Sequence, residues 1–403
     1  MKILHTSDWH LGQKFLTNDR KAEHEMVLNW LYDTIQKEKV DALIVAGDVF
    51  DIGNPPSYAR TIYYRFLTKL QGSCCRHIII IGGNHDSPSM LNAPKELLEI
   101  LNVHIIGAAT GDINDEIISL KDGKGQLEAI IAAVPFLRDR DIRQSVTGET
   151  GLERIAKVQE GIVRHFKEAG EAVKEYAKQQ IPIIATGHLF AKGALSGDKQ
   201  DNIYIGDIEN IEGDNFPKVF DYVALGHIHR PQLVGEQNHV RYSGSIIPLS
   251  FSEIQDSKQV LLLHFDKKKL ETIQEVKIPR FRELVKFKGT LESVKGKLKR
   301  FDEKRKGELM PWVDIEIEME EYQPNLDGII REFAKDFWME ILKIRTRREH
   351  AALESLANEI SLDDLSPEDV FVKKCESAGE MVATEKEALL LTFRELCDWM
   401  STE

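Results

Sequence analysis

Residues 1–12 read M-K-I-L-H-T-S-D-W-H-L-G, and the fold is decided by how this stretch ends. Ile3 and Leu4 form an apolar run that leads into Thr6-Ser7 and then Asp8-Trp9-His10. The pattern predicts a short buried strand whose exit loop presents a carboxylate and an imidazole two positions apart. On a loop still extended from its strand, residues i and i+2 project to the same side, so Asp8 and His10 can share one cation. By itself D-x-H is a common coincidence, and an isolated pair is more often a solvated Asp beside a capping or core His.

The same event recurs four times. Residues 42–48, A-L-I-V-A-G-D, end in Asp48, and residues 78–86, I-I-I-I-G-G-N-H-D, end in Asn84-His85-Asp86. Residues 181–188, I-P-I-I-A-T-G-H, end in His188, and residues 222–229, Y-V-A-L-G-H-I-H, end in His227 and His229. Four of the five strands place Gly just before the ligand, which permits a sharp turn and close backbone approach. Chance would scatter Asp, Asn and His through loops and helices. Five strand ends meeting at one sheet edge make a composite metal site.

Such a site can activate a phosphodiester, whose anionic oxygens repel hydroxide, by clamping an oxygen and lowering the pKa of water. A carboxylate with two oxygens suits the bridging position, and Asp48 is the candidate. Mixed imidazole, carboxylate and carboxamide ligation suits Mn2+ or Fe2+ better than the all-oxygen shells of Mg2+ or Ca2+. His85 adjoins a ligand but faces the opposite way on an extended segment, and reads either as a general acid or as a packed loop histidine.

In order, D-x-H, G-D-x-x-D, G-N-H-D, G-H and G-H-x-H resemble the motifs of the calcineurin-like metallophosphoesterases. H-T-S-D-W-H-L-G, G-D-V-F-D and P-P-S-Y-A-R narrow the resemblance to the SbcD family, the nuclease components of bacterial SbcCD complexes. The motifs span residues 4–230, and the length and later layout also fit. The resemblance implies a four-layer αββα sandwich and two Mn2+, with Fe2+ or Mg2+ as substitutes. One ion would take Asp8, His10, Asp48 and His229, the other Asp48, Asn84, His188 and His227. Asp51 matches the family position whose carboxylate orients His85, with Asp86 as its competitor. The resemblance also implies cleavage of double-strand ends, single strands and hairpins in DNA recombination, replication and repair. The implied partners are DNA and an SbcC-type ATPase with a coiled coil, in a homodimer within a heterotetramer. The chain itself has no G-x-x-x-x-G-K-[ST] loop, so nucleotide binding falls to that partner.

Serine/threonine phosphatases of the superfamily read G-D-x-x-D-R-G, and the Arg grips a phosphate dianion. Here Ile52 follows Asp51, which favours a diester. A phosphodiesterase for cyclic nucleotides or other small diesters is the enzymatic rival. A DNA-end tether with a vestigial metal site is the non-enzymatic one, although all seven ligands are present. The remaining histidines, His5, His24, His77, His104, His165, His239, His264 and His350, lack the strand-Gly-ligand context and read as structural. Trp9 reads as packing under the metal loop.

A chain of 403 residues is too long for one compact core. We expect a metallophosphoesterase domain at 1–276, a small α+β capping domain at 277–349, and an acidic helical tail at 350–403. The expected elements are helices over 20–39, 58–70, 93–101 and 152–179, with strands at 129–134, 240–242 and 260–265 besides the ligand strands. Beyond Pro279 come strands at 281–287, 312–319 and 341–344, and helices at 291–304 and 326–337.

Net charge is −13, but 350–403 alone carries −9 and 277–349 carries +3, so the acidity sits in the tail. The helix after Thr290 holds Lys295, Lys297, Lys299, Arg300, Lys304, Arg305 and Lys306, with Arg345, Arg347 and Arg348 as a second cluster. Both read either as a solvated surface or as contacts to a DNA backbone, for which Lys295, Lys299, Arg300 and Lys304 are the candidates. Neither shows the aromatic interleaving of a single-strand binder. In the tail, Leu389, Phe393, Leu396 and Met400 form one helical stripe, either packed on its own domain or docked on the partner ATPase. No stretch reaches the ~18 apolar residues that cross a bilayer. The absence of a signal-peptide pattern and of CxxC among four cysteines points to the cytoplasm.

Overall fold

The computed structural model describes residues 1–143, 150–192, 211–304, 307–319 and 323–348, with four isolated positions at 389–390 and 392–393. Arg305, Lys306 and, of the tail stripe, Leu396 and Met400 lie outside the described residues. Apolar runs such as Ala42–Ala46 and His77–Ile81 are buried along their whole length, as parallel strands covered on both faces must be. They lie in a six-stranded sheet ordered Lys269–Lys277, Gln259–Asp266, Lys2–Thr6, Ala42–Ala46, His77–Ile81, Val103–Ile106. The four strands from Lys2–Thr6 onward are parallel, and Gln259–Asp266 is antiparallel to the first. The second six-stranded sheet runs Gln232–Val234, Gln237–Tyr242, Tyr222–Gly226, Ile183–His188, Leu127–Ala132, Ile117–Lys121.

Three apolar cores make the layers. Ile3, Ile44, Ile79 and Ile81 of the first sheet meet Ile131, Ile184 and Ala224 of the second. The outer face of the first sheet is covered by the helices Lys21–Glu38 and Ser57–Leu70, through Leu31, Ile35, Tyr63 and Phe66. The helix Gly151–Ala172 covers the second with Val158, Ile162 and Phe166. This is the helix–sheet–sheet–helix order that the resemblance implies. At the seam, His5 of the first sheet reaches Tyr222 Oη at 3.0 Å and the Leu225 carbonyl at 3.2 Å in the second. Burial pushes its imidazole down to about 3, so it is a neutral peg between the sheets.

Some elements differ from their expected spans. The helix expected at 93–101 is shortened to Lys95–Glu99, with Pro94 at its N-cap, and a separate short helix, Pro88–Asn92, precedes it. The long helix stops at Ala172 and tightens into a 3-10 turn over Lys174–Gln179. The basic helix ends at Asp302, and the helix expected at 326–337 ends at Phe333.

Beyond residue 280 the chain forms a parallel three-stranded sheet, Leu284–Gly289, Trp312–Met319 and Glu340–Arg348. The helices Leu291–Asp302 and Leu326–Phe333 cross between the strands, and Val294, Leu298, Ile315 and Ile330 form a core of their own. Trp312 and Leu284 pack on Phe15, with Phe251 and Ile254 at the edge. Arg282 reinforces this contact by donating to Glu23 at 3.0 Å and stacking over Trp312 at 4.1 Å.

Candidate metal centre

The ligand strands stop together because their exit loops are laced to one another. Asp8 N donates to the Gly47 carbonyl at 3.0 Å, His10 N to the Asp48 carbonyl at 3.0 Å, and Leu11 N to Val49 at 2.9 Å. Asp8, His10, Asp48 and His227 hold positive φ, at 50°, 44°, 50° and 97°. Such backbone costs roughly 1–3 kcal/mol per residue and persists only where the surroundings over-determine it. The preceding glycines make the crowding possible. A Cβ on Gly47 would strike the His188 ring, one on Gly83 the Asp48 carboxylate, and one on Gly226 the Ala46 carbonyl.

Asp48 lies at the centre. Its Oδ2 is 3.5 Å from His10 Nε2 and 3.2 Å from His188 Nε2, while its Oδ1 accepts from His85 N at 2.9 Å. Asn84 Oδ1 is 3.0 Å from both His188 Nε2 and His227 Nδ1. On the other side the His10 and His229 rings lie 5.0 Å apart, and a ligand atom of each comes within 4.8 Å of Asp8. The seven side chains read from the sequence therefore converge as two sets that meet at Asp48. Supporting bonds aim them: His188 Nδ1 donates to the Ala46 carbonyl at 2.9 Å. Asp8 accepts from Ser7 Oγ at 2.5 Å and from His227 N at 2.9 Å.

The donors fit a cation. His10 Nε2 is buried without a hydrogen-bond partner, an orphan of the kind that marks a missing ion. Burial alone would lower the His10 and His188 pKa values. The Asp51, Asp48 and Asp8 carboxylates around His10, and Asp48 beside His188, outweigh it and push both up to about 9. Asp48, despite its burial, is held well below the usual carboxylate range by these imidazoles. His227 goes the other way, to about 3, through burial and the neighbouring His188 charge. The site thus attracts positive charge whether it arrives as protons or as metal. The side chains form a divalent-metal site.

His85 sits beside this pair of sets, its ring centroid 4.9 Å from that of His10. Its Nδ1 donates to the backbone carbonyl of Asp51 at 2.8 Å, whereas the Asp51 carboxylate lies 3.1 Å from His10 Nδ1. The carboxylate expected to orient His85 therefore meets His10, a candidate ligand, and the main chain of the same residue holds the His85 ring. His10, Asp51 and His85 also form a third group with ligand atoms within 4.8 Å. Asp86, the competitor, faces neither histidine ring. It accepts from Val49 N at 3.1 Å, Phe50 N at 2.9 Å and Gly83 N at 2.9 Å, knotting two ligand loops together. Burial and the Asp48 charge push it up to about 6.

Sequence reading missed Glu253, Lys258 and Ser245. Glu253 Oε1 is 3.5 Å from His229 Nδ1, and its Oε2 accepts from Lys258 Nζ at 2.5 Å. Although burial opposes it, His229 and Lys258 hold this carboxyl down at about 2. No strand-Gly-ligand pattern precedes Glu253, which lies in a polar S-F-S-E turn. The DNA candidates lie on a separate element. Lys299, Arg300 and Lys304 are exposed and, among the described residues, meet no carboxylate, while Lys295 pairs with Glu292 at 3.1 Å. Trp9 packs edge-on against Phe66 at 5.4 Å beneath the metal loop.

Residues 1–231 match the model of the calcineurin-like phosphoesterases, and residues 280–378 match one described as a type 5 capsule protein repressor C-terminal domain. SbcD, the D component of nuclease SbcCD, from Escherichia coli K12 is 41% identical over 93% of this chain and 92% of its own. Its namesake in Bacillus subtilis strain 168 is 32% identical over 82% of each chain. The one in Rhodobacter capsulatus is 37% identical over 65% of this chain and 66% of its own. The chain belongs to the calcineurin-like phosphoesterases and, within them, to the SbcD family of metal-dependent nuclease subunits.

Proposed function

We propose that the chain hydrolyses DNA phosphodiesters with two Mn2+ held by Asp8, His10, Asp48 and His229 on one side and Asp48, Asn84, His188 and His227 on the other. The observation that carries the reading is the position of Asp48 Oδ2, within 3.5 Å of imidazole nitrogens from both sets. When bound, two such ions clamp a phosphate oxygen and lower the pKa of an attacking water. The chain's own groups do the rest. Asp48 keeps the two sets in register, and the Gly-ligand turns exclude side chains that would displace them. His85, with Nδ1 spent on the Asp51 carbonyl, presents Nε2 to give a proton to the leaving 3′-oxygen.

The unit at 277–349 caps the site, and Lys295, Lys299, Arg300 and Lys304 contact the duplex backbone. The relatives are subunits of SbcCD, and by the same reading this chain works in the cytoplasm with an SbcC-type coiled-coil ATPase that the tail at 350–403 engages. Leu97, Ile100 and Leu101 stand exposed at one helix end, an apolar patch that supports pairing of two copies within a heterotetramer. The test sets purified chain with Mn2+ or Mg2+ against labelled duplex, hairpin and cyclic-nucleotide substrates side by side. Mn2+-dependent cleavage of duplex and hairpin is expected. Turnover of the cyclic substrate alone overturns the reading.

A further inference from the structure

His10 is met by the Asp51 carboxylate at 3.1 Å and His188 by the Ala46 carbonyl at 2.9 Å, both from the Ala42–Ala46 strand and the loop after it. His229 is met instead from the chain that follows it. Its Nδ1 faces Glu253 Oε1 at 3.5 Å, and its carbonyl accepts from Lys258 Nζ at 2.8 Å and from Ser245 N at 3.1 Å. Glu253 has little freedom of its own. Its second oxygen takes Lys258 Nζ at 2.5 Å and Leu249 N at 3.2 Å, with Ser245 Oγ at 3.5 Å. Ser245 also forms a β-bridge to Ser7, the residue that bonds Asp8. Ring and main chain of His229 are therefore both set by one clamp.

The clamp is built on a 3-10 turn, Phe251–Glu253, that touches the C-terminal unit. Phe251 packs edge-on against Phe15 at 5.0 Å, Phe15 lies 5.3 Å from Trp312, and the cluster includes Leu284. Just beyond the turn, Arg280 donates to the Ile254 carbonyl at 2.6 Å. The two segments that carry this cluster are continuous with the loop of His10 and with the residue behind His229. The opposite set, Asn84, His188 and His227, is held by the Ala46 carbonyl and by Asp8.

We infer that Glu253 is a positioning residue for His229, and that the C-terminal unit, seated on Phe251, sets through it how tightly one of the two metal positions binds. The inference rests on His229 being a ligand, as proposed above. A carboxylate that receives the second ring nitrogen of a ligating histidine fixes its tautomer and rotation, and its loss costs about 10–100-fold in metal affinity. The metal position is thereby linked to a domain that contributes no ligand to it.

Calorimetric titration of the full chain with Mn2+ tests this without reference to turnover. Glu253→Gln should leave one position at parental affinity and weaken the other about 10–100-fold. Because that variant leaves Lys258 buried without its anion, Glu253→Gln/Lys258→Met is measured beside it and should show the same selective loss. Phe251→Ala should weaken the same position by a smaller factor. His229→Ala separates the two readings. If it retains both positions, His229 is not a ligand and the proposed function fails at that residue. If it loses one position while both Glu253 variants bind as the parent does, the positioning role is overturned and the ligand set stands. Equal weakening of both positions in the double variant also overturns it, since Glu253 would then support the loops in general.

Discussion

The metal centre and the helix Leu291–Asp302 both gather charged side chains, yet they hold them by opposite means. At the centre Asp8, His10, Asp48 and His188 are buried, on backbone strained at three of the four. On the helix Lys299 and Arg300 stand in solvent on regular backbone, and Lys295 rests against Glu292 and the Phe333 ring. Charge in the first place is fixed in position and poorly screened. In the second it is mobile and screened by salt. The contrast teaches that burial, more than residue type, sets how much a single substitution can change.

The sharpest way to break the comparison is at its most buried member. Asp48→Ala should abolish cleavage and cost at least one bound metal, because both ligand sets lean on this carboxylate. Metal content by atomic absorption together with a nuclease assay checks it, and two bound ions in the variant would remove Asp48 from the bridging role. His85→Gln should come next, lowering turnover by about 10²–10⁴-fold with metal content near two, as expected for loss of a general acid. Loss of metal instead would move His85 into the ligand set.

A smaller effect distinguishes protons from metal in the same site. In the metal-free protein His10 and His188 are raised to about 9, above the ordinary value near 6.5. A raised histidine stabilises the folded state fully below its unfolded pKa, and that contribution fades as pH climbs through the folded value. Chelator-treated protein should therefore lose melting temperature between about pH 6.5 and 9. Mn2+ affinity should rise over the same window, because binding must expel these protons. Melting curves and titrations at half-unit pH steps read both trends, and parallel slopes would contradict the assignment. The smallest effect belongs to the exposed helix. Neutralising Lys295, Lys299 and Lys304 should leave turnover on short substrates unchanged and flatten the salt dependence of duplex binding by roughly one per lost phosphate contact. An unchanged slope would return the helix to the solvated reading.

The strand-Gly-ligand repeat was legible because the chemistry constrains neighbours in sequence: a ligand needs a turn, and the turn needs Gly47, Gly83 or Gly226. The ordered motifs then carried the αββα layers. Glu253 was not legible, since it meets His229 through space across a gap of 24 residues in a turn with no periodicity. The edge strand Lys269–Lys277 escaped for another reason: mostly exposed, it carries no apolar run to announce it. The contact of the Asp51 carboxylate with His10 was not legible, because sequence spacing does not say which of two nearby histidines a side chain meets. Pro94 was visible in the sequence, and the helix expected at 93–101 begins just after it.

The peg at His5 gives the molecule a gauge. Asp8, His10, Asp48 and Asn84 ride on one sheet, while His188, His227 and His229 ride on the other. The spacing within the centre is thus a distance between two slabs, and sliding one slab by a fraction of an ångström would alter every pairing across it. The bonds from His5 to Tyr222 and Leu225 span that seam just below the site. Loops elsewhere on the molecule can lengthen without touching this dimension. A change at His5 or Tyr222, neither of which reaches substrate, would recalibrate the whole instrument.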